Sequence, residues 1–309
     1  MRSEQAKYIN GNYFVQINGW DKSYRALRLD DPVFKSEFPD SIDLKITNCC
    51  SIGCSYCHES SIPGGKHFNR DNTIKMLAEL PKVGIELAIG GGCLLEMPEK
   101  ELVDFLKWCN DNNFLTRATI NSKDLQDERK LNFIKNTKLT DLIGGFGISI
   151  DNPDTCNFEE IEDIFYFNKI VYHVIAGIYP IDKLEQLLTT PARSVLILGY
   201  KNWGRGKNII PSLENWKEGI AKLTYTKRMN PQKQWNMSFD NLAIEQLGVK
   251  NILTEDEWKS LYMGPEFSHS MYVDAVTEIF APTSRSSERT KWSDCSGILD
   301  YYQNNRVND

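Results

Sequence analysis

IDLKITNCCSIGCSYCHES, residues 42–60, runs from a short apolar stretch into four cysteines within nine positions. Residues 42–47 read as a β-strand, so the cysteines lie on the loop that follows it. Cys50, Cys54 and Cys57 have the spacing C-x3-C-x2-C, and three thiolates on one short loop can converge on a single inorganic centre. An iron–sulfur cluster is one such centre, and a four-iron cluster with three protein thiolates keeps one iron open. A structural zinc site wants a fourth Cys or His. His58 is adjacent to Cys57 and points awkwardly for the same ion. A redox pair at Cys54 and Cys57 leaves Cys50 without a role.

Outward from this stretch, short apolar runs alternate with helical ones. Residues 85–90, 115–120, 142–150, 170–178 and 194–200 are predicted strands, and 235–239 continues the series. Between them the clearest helix is PEKELVDFLKWCNDN, with Leu102, Phe105, Leu106 and Cys109 at i, i+3, i+4, i+7 behind Pro98 and a glutamate-rich first turn. This alternation predicts right-handed βαβ units and an α/β fold: a partial or full (β/α) TIM-like barrel of mostly parallel strands. Active sites in such sheets form at the carboxyl ends of the strands. The simplest partition is a β-hairpin extension at 1–40, with turns at Asn10-Gly11 and Asn18-Gly19, a core barrel at 41–250, and an extension at 251–309 that caps the substrate side.

Of 309 residues, 41% are hydrophobic and 25% charged, the composition of a soluble globular chain. The start lacks a signal-peptide pattern and no run reaches membrane-spanning length, which predicts a cytoplasmic protein, in the host cytoplasm if viral. Thiols stay reduced there, which favours metal or redox chemistry over structural disulfides. A net charge of −6 argues against a duplex-coating protein but leaves room for a local basic channel.

With its three-cysteine spacing after the first barrel strand, and an aromatic residue, Tyr56, before the last cysteine, the sequence resembles the radical S-adenosylmethionine (SAM) superfamily. The likeness is to compact members with one cluster, of the kind found in phages and bacteria. The family spacing puts Cys50 in register and leaves Cys49 as a small apolar residue ending the strand. The resemblance covers most of residues 40–210. It implies a [4Fe–4S] cluster on Cys50, Cys54 and Cys57, with SAM as cofactor.

AIGGGCLLEMP stands where the family has a Gly-Gly-Glu loop facing the SAM amino group. Gly90 and Gly91 match, and Gly92 replaces the usual Glu. Glu96 reads as the first turn of the next helix. Asn121, ending the third strand, and Ser149 and Asp151, ending the fourth, are candidates for the SAM nucleoside, although such residues also cap helices. After the sixth strand, GYKNWGRGKN carries Lys201, Arg205 and Lys207, which suit a SAM carboxylate or a substrate phosphate. His173, inside an apolar run, is a candidate base or an interior histidine. Asp240 and Asn241 are candidates for substrate binding or for a helix cap. The segment 267–292 reads as two short strands and a Ser/Arg-rich loop, with Tyr272, Asp274, Arg285 and Arg289 near the substrate.

Three functions follow. The first is a radical SAM enzyme acting on a small molecule or nucleotide, reduced by a flavodoxin or ferredoxin; the narrowest form is an isomerase that rearranges a modified thymidine in phage DNA. The second is a radical SAM enzyme that modifies a peptide or protein. The third is a non-enzymatic iron–sulfur or zinc protein.

Overall fold

Ile42, Leu44 and Ile46 alternate with Asp43 and Lys45, so a strand here must turn an apolar face one way and a charged face the other. In the computed structural model, which describes residues 5–18, 23–27 and 33–307, this alternation organises the molecule. The strands are β1 (Gln5–Asn10), β2 (Tyr13–Asn18), β3 (Ser23–Leu27), β4 (Ser41–Thr47), β5 (Glu86–Gly91), β6 (Leu115–Asn121), β7 (Gly145–Ser149), β8 (Ile170–Ile175), β9 (Ser194–Leu198), β10 (Asn236–Phe239), β11 (Ser270–Asp274), β12 (Ile279–Ala281) and β13 (Thr290–Lys291). The helices are α1 (Arg70–Leu77), α2 (Glu99–Asp111), α3 (Glu128–Thr137), α4 (Leu139–Leu142), α5 (Phe158–Phe165), α6 (Leu184–Leu188), α7 (Glu214–Met229), α8 (Asn241–Leu247), α9 (Glu255–Leu261) and α10 (Ile298–Asn305).

Among the described residues, ten strands form one sheet in the order β10-β9-β8-β7-β6-β5-β4-β11-β12-β13. Pairing from β10 to β11 is parallel throughout; β12 and β13 add an antiparallel edge. Leu87 and Ile89, Ala118 and Ile120, Phe146 and Ile148, and Tyr172 and Val174 continue the buried face set by β4, and the helices cover it. α2 buries the four residues expected of it, and Phe105 meets Phe68 edge to face at 5.0 Å. Each such buried side chain contributes about 1.5–3 kcal/mol. Among the described residues no helix is long and apolar enough to cross a membrane.

The sheet is an open barrel, and its two flanks are drawn together by loops. Arg205, after β9, bonds to carbonyls at Cys54 and Ser61, after β4. Asn241, after β10, donates to the Gly264 carbonyl before β11 at 3.2 Å. The second face of the strands is therefore a concave interior.

Three expectations change. The segment after residue 250 is part of the barrel, because β11 pairs in parallel with β4 at Tyr272–Asp43 and Asp274–Lys45. The expected strand 142–150 starts only at Gly145, since Leu142 closes α4. The N-terminal hairpin has a third strand, and its first turn is centred on Gly11 and Asn12, with Asn10 facing Tyr13. Gly19, of the second expected turn, lies outside the described residues. Tyr8, Asn10 and Tyr13 all hydrogen-bond to Asp40, at 3.1, 2.8 and 2.8 Å, which fixes this sheet beside the start of β4.

Candidate functional site

At the carboxyl end of β4 the chain enters the cysteine loop. The Cys50 amide donates to the Ile62 carbonyl at 3.0 Å and the Ile62 amide to the Asn48 carbonyl at 3.1 Å, closing the base of the loop. Cys50, Cys54 and Cys57 are free and partly buried on it. Cys49 faces away, is buried, and donates to Glu96 at 3.3 Å.

A structural zinc site takes four Cys or His ligands, and this loop offers three free thiols. Three thiolates are the donor set of a four-iron cluster that keeps one iron open. Burial raises the pKa of Cys50 and Cys54, so both thiols favour the protonated form until a cation binds.

The glycine loop after β5 lies against the start of the cysteine loop. The Gly92 amide donates to Thr47 and the Cys93 amide to Cys49, each at 2.7 Å. A Cβ on Gly91 (φ +110°) would collide with the Thr47 carbonyl, and one on Gly92 with that of Cys49. A Cβ on Gly90 would meet nothing within 4 Å, so open space lies above it. Close backbone packing thus accounts for two of the glycines, and Gly90 is left facing room for a ligand.

Glu96 closes the short helical turn after this loop. Its carboxylate accepts from the Ser51 amide at 3.0 Å, from the Ser51 hydroxyl, and from Lys130 at 2.8 Å. Burial alone would raise its pKa, but Lys130 and Ser51 lower it to about 2. Lys130 also binds Asp124 at 2.5 Å. Cys93, Glu96 and Asp124 are close enough to share a metal ion, but the Lys130 ammonium already serves them as a cation.

Asn121, Ser149 and His173 are register partners at the carboxyl ends of β6, β7 and β8, in a row on the concave face. Asn121 also caps the turn that follows, accepting from the Lys123 amide at 3.0 Å. Lys123 binds Asp151 at 2.6 Å, and the Tyr56 hydroxyl reaches both Asp151 and Cys54. The His173 ring lies over Gly147, and burial lowers its pKa to about 4, so it is neutral near pH 7. The side chains of Ser149 and His173 have no protein hydrogen-bond partner among the described residues.

Other predicted site residues are engaged structurally. Arg205 donates to the Cys54 carbonyl at 2.9 Å and to Ser61 at 2.8 Å, clamping the cysteine loop. Lys201 donates to Ser284 at 2.8 Å. Asp240 caps α8, accepting from Ala243 at 2.7 Å and Gly199 at 2.9 Å. In the C-terminal segment Arg285 pairs with Glu266 at 2.7 Å, and Arg289 stacks on the Tyr272 ring at 5.5 Å.

No sequence pattern marked the network below the loop. Lys45, 7% exposed, binds Glu59 at 2.6 Å and Asp274 at 3.1 Å. Glu59 also meets His58 at 3.3 Å and the Tyr272 hydroxyl at 3.2 Å. Burial alone would raise Glu59, but His58 and Lys45 hold it well below the usual carboxylate range. The end of the cysteine loop is thereby tied to both β4 and β11. A lysine two residues before the strand end was the available signal, and it is too common to read.

Neither a protein-family model nor a curated protein matches the sequence. Solved structures do. SuiB from Streptococcus suis bound to S-adenosylmethionine matches with a TM-score of 0.62 and 12% identity, over 87% of this chain and 66% of that one. This chain therefore spans just under two thirds of that chain's length. A further SuiB structure matches with a TM-score of 0.65 and 10% identity, over 98% of this chain and 88% of that one. The structure of anSMEcpe with bound AdoMet and Kp18Cys peptide gives 0.53 and 13%, over 84% of this chain and 78% of that one. At these identities the likeness is one of fold: an open, mostly parallel α/β barrel shared with these structures.

Proposed function

We propose that this chain is a radical SAM enzyme whose [4Fe–4S] cluster is held by Cys50, Cys54 and Cys57. The observation that carries the reading is the loop itself: three free thiols, one ligand short of a structural zinc site, at the carboxyl end of β4 in a barrel whose structural neighbours were solved with SAM bound. When bound, the cluster would supply an electron that cleaves SAM, and the resulting 5′-deoxyadenosyl radical would take a hydrogen atom from the substrate.

The protein's part is to hold and enclose. Gly90, Gly91 and Gly92 present backbone to the amino group of SAM, with Gly90 facing the open space. Asn121, Ser149 and Asp151 line the path of the nucleoside, with Tyr56 beside Cys54. Arg205 fixes the loop, and Lys201 lies at the barrel mouth for a carboxylate. The concave interior keeps water and stray hydrogen donors from the radical. A flavodoxin or ferredoxin is the proposed electron donor.

The proposed substrate is a small molecule or nucleotide, and the narrowest form of the reading is isomerisation of a modified thymidine in DNA. Exposed Trp203, between Lys201 and Lys207, supports a base and phosphate at that loop; Arg205 is already engaged there. A peptide substrate is the second reading, supported by fold neighbours crystallised with the precursor peptide SuiA and with the Kp18Cys peptide. Anaerobic reconstitution with dithionite and SAM, assayed for 5′-deoxyadenosine, tests the reaction class. Matched duplexes with plain and modified thymine then test the DNA form: no preference and no turnover removes it.

A further inference from the structure

The concave face of β4 carries a carboxylate without a partner. Asp43 lies midway along the strand, between Ala88 of β5 and Tyr272 of β11 in register. Its side chain has no hydrogen bond or ion pair among the described residues, whereas the other acids around the interior are engaged. Glu86 binds Arg117 at 3.1 Å, Glu266 binds Arg285 at 2.7 Å, Asp274 binds Lys45 at 3.1 Å, and Asp240 caps α8. Asp43 is solvent-accessible on this face of the sheet, and Thr119, midway along β6, is exposed on it in the same way. Ala88, and Gly90 with nothing above it, leave room on the strand beside it.

Enclosure raises the pKa of Asp43; Lys201 opposes the rise, and Glu86, Asp240 and Glu266 add to it. Lys201, the largest of these charges, donates to Ser284 at 2.8 Å, which leaves the Asp43 carboxylate free to accept a cation. A pocket with one convergent charged group and small neighbours is how proteins fix the orientation of a ligand.

We infer that Asp43 is the anchor for a positively charged group of the substrate, a protonated amine or guanidinium, inside the barrel. This rests on the radical SAM reading for the identity of the cavity as the substrate site. The amine pairs with the Asp43 carboxylate, and the rest of the substrate points toward the carboxyl ends of the strands, where the cysteine loop lies.

The test uses reconstituted protein and two probes of like shape, n-butylammonium and n-butanol, read by saturation-transfer NMR. Butylammonium is expected to bind at least tenfold more tightly than butanol, and Asp43→Asn to abolish the preference while retaining the wild-type melting temperature. In wild-type protein with 13C-carboxyl aspartate, the Asp43 resonance is expected to move with butylammonium and not with butanol, a reading that needs no variant. Equal binding of the two probes, or an Asp43 resonance indifferent to both, overturns the assignment. SAM cleavage is measured on the same samples: cleavage without amine preference removes the Asp43 site alone. Amine preference without cleavage keeps a cation site at Asp43 and removes the radical SAM reading.

Discussion

Glu96 accepts a hydrogen bond from the Ser51 amide at 3.0 Å, so the cysteine loop is tied to the strand-exit segment beyond the glycines. Lys130 completes the tie from α3. Glu96→Ala leaves the Lys130 ammonium, 10% exposed, with one carboxylate fewer. The expected cost is about 3 kcal/mol, at the low end for a broken, largely buried pair. Cluster loss to a chelator should be faster in this variant than in wild type, and Glu96→Gln, which still accepts from Ser51, should fall between. Equal chelation rates in all three would contradict the tie.

The adjacent thiols are separable. Cys50→Ala should abolish cluster assembly, because that thiol stands with Cys54 and Cys57, whereas Cys49→Ala removes only a bond to Glu96. Iron content after anaerobic reconstitution measures both, and the opposite pattern would show the register to be wrong.

Gly92→Ala places a methyl group against the Cys49 carbonyl, which is held by its own hydrogen bond to the Cys93 amide. Overpacking of this kind costs about 1–3 kcal/mol. A lower melting temperature and reduced iron content are expected, while Gly90→Ala, facing open space, should fold normally.

His173 gives a pH dependence. Its pKa falls from 6.5 unfolded to about 4 folded, so the folded state binds fewer protons between those values. The contribution is complete above pH 6.5 and is lost as pH drops toward about 4, with a slope of up to about 1.4 kcal/mol per pH unit. Melting temperatures at pH 7 and pH 5.5 should differ more in wild type than in His173→Asn. An equal difference would show that His173 is not held neutral.

The cysteine spacing and the strand–helix alternation were legible because each is local: a strand, a loop of fixed length, a helix with one apolar face. The same is true of α2. What stayed hidden depends on distance along the chain. β11 pairs with β4 from more than two hundred residues away, and nothing in SMYVD announces a parallel partner. Lys45, Glu59 and Tyr272 meet only because that pairing exists. Glu96 was read as a helix start because a carboxylate there is common, and its service to Ser51 follows from the fold of the glycine loop. Asp240 was read as a substrate contact or a helix cap, and it caps α8; Arg205 was singled out by residue type, and it donates to loop carbonyls.

The most direct test is made on oxygen-protected protein reconstituted with iron and sulfide, then given dithionite and SAM. Four irons per chain and 5′-deoxyadenosine as product are the expected results. Zinc in place of iron, or an iron-loaded protein that leaves SAM intact, would contradict the central claim.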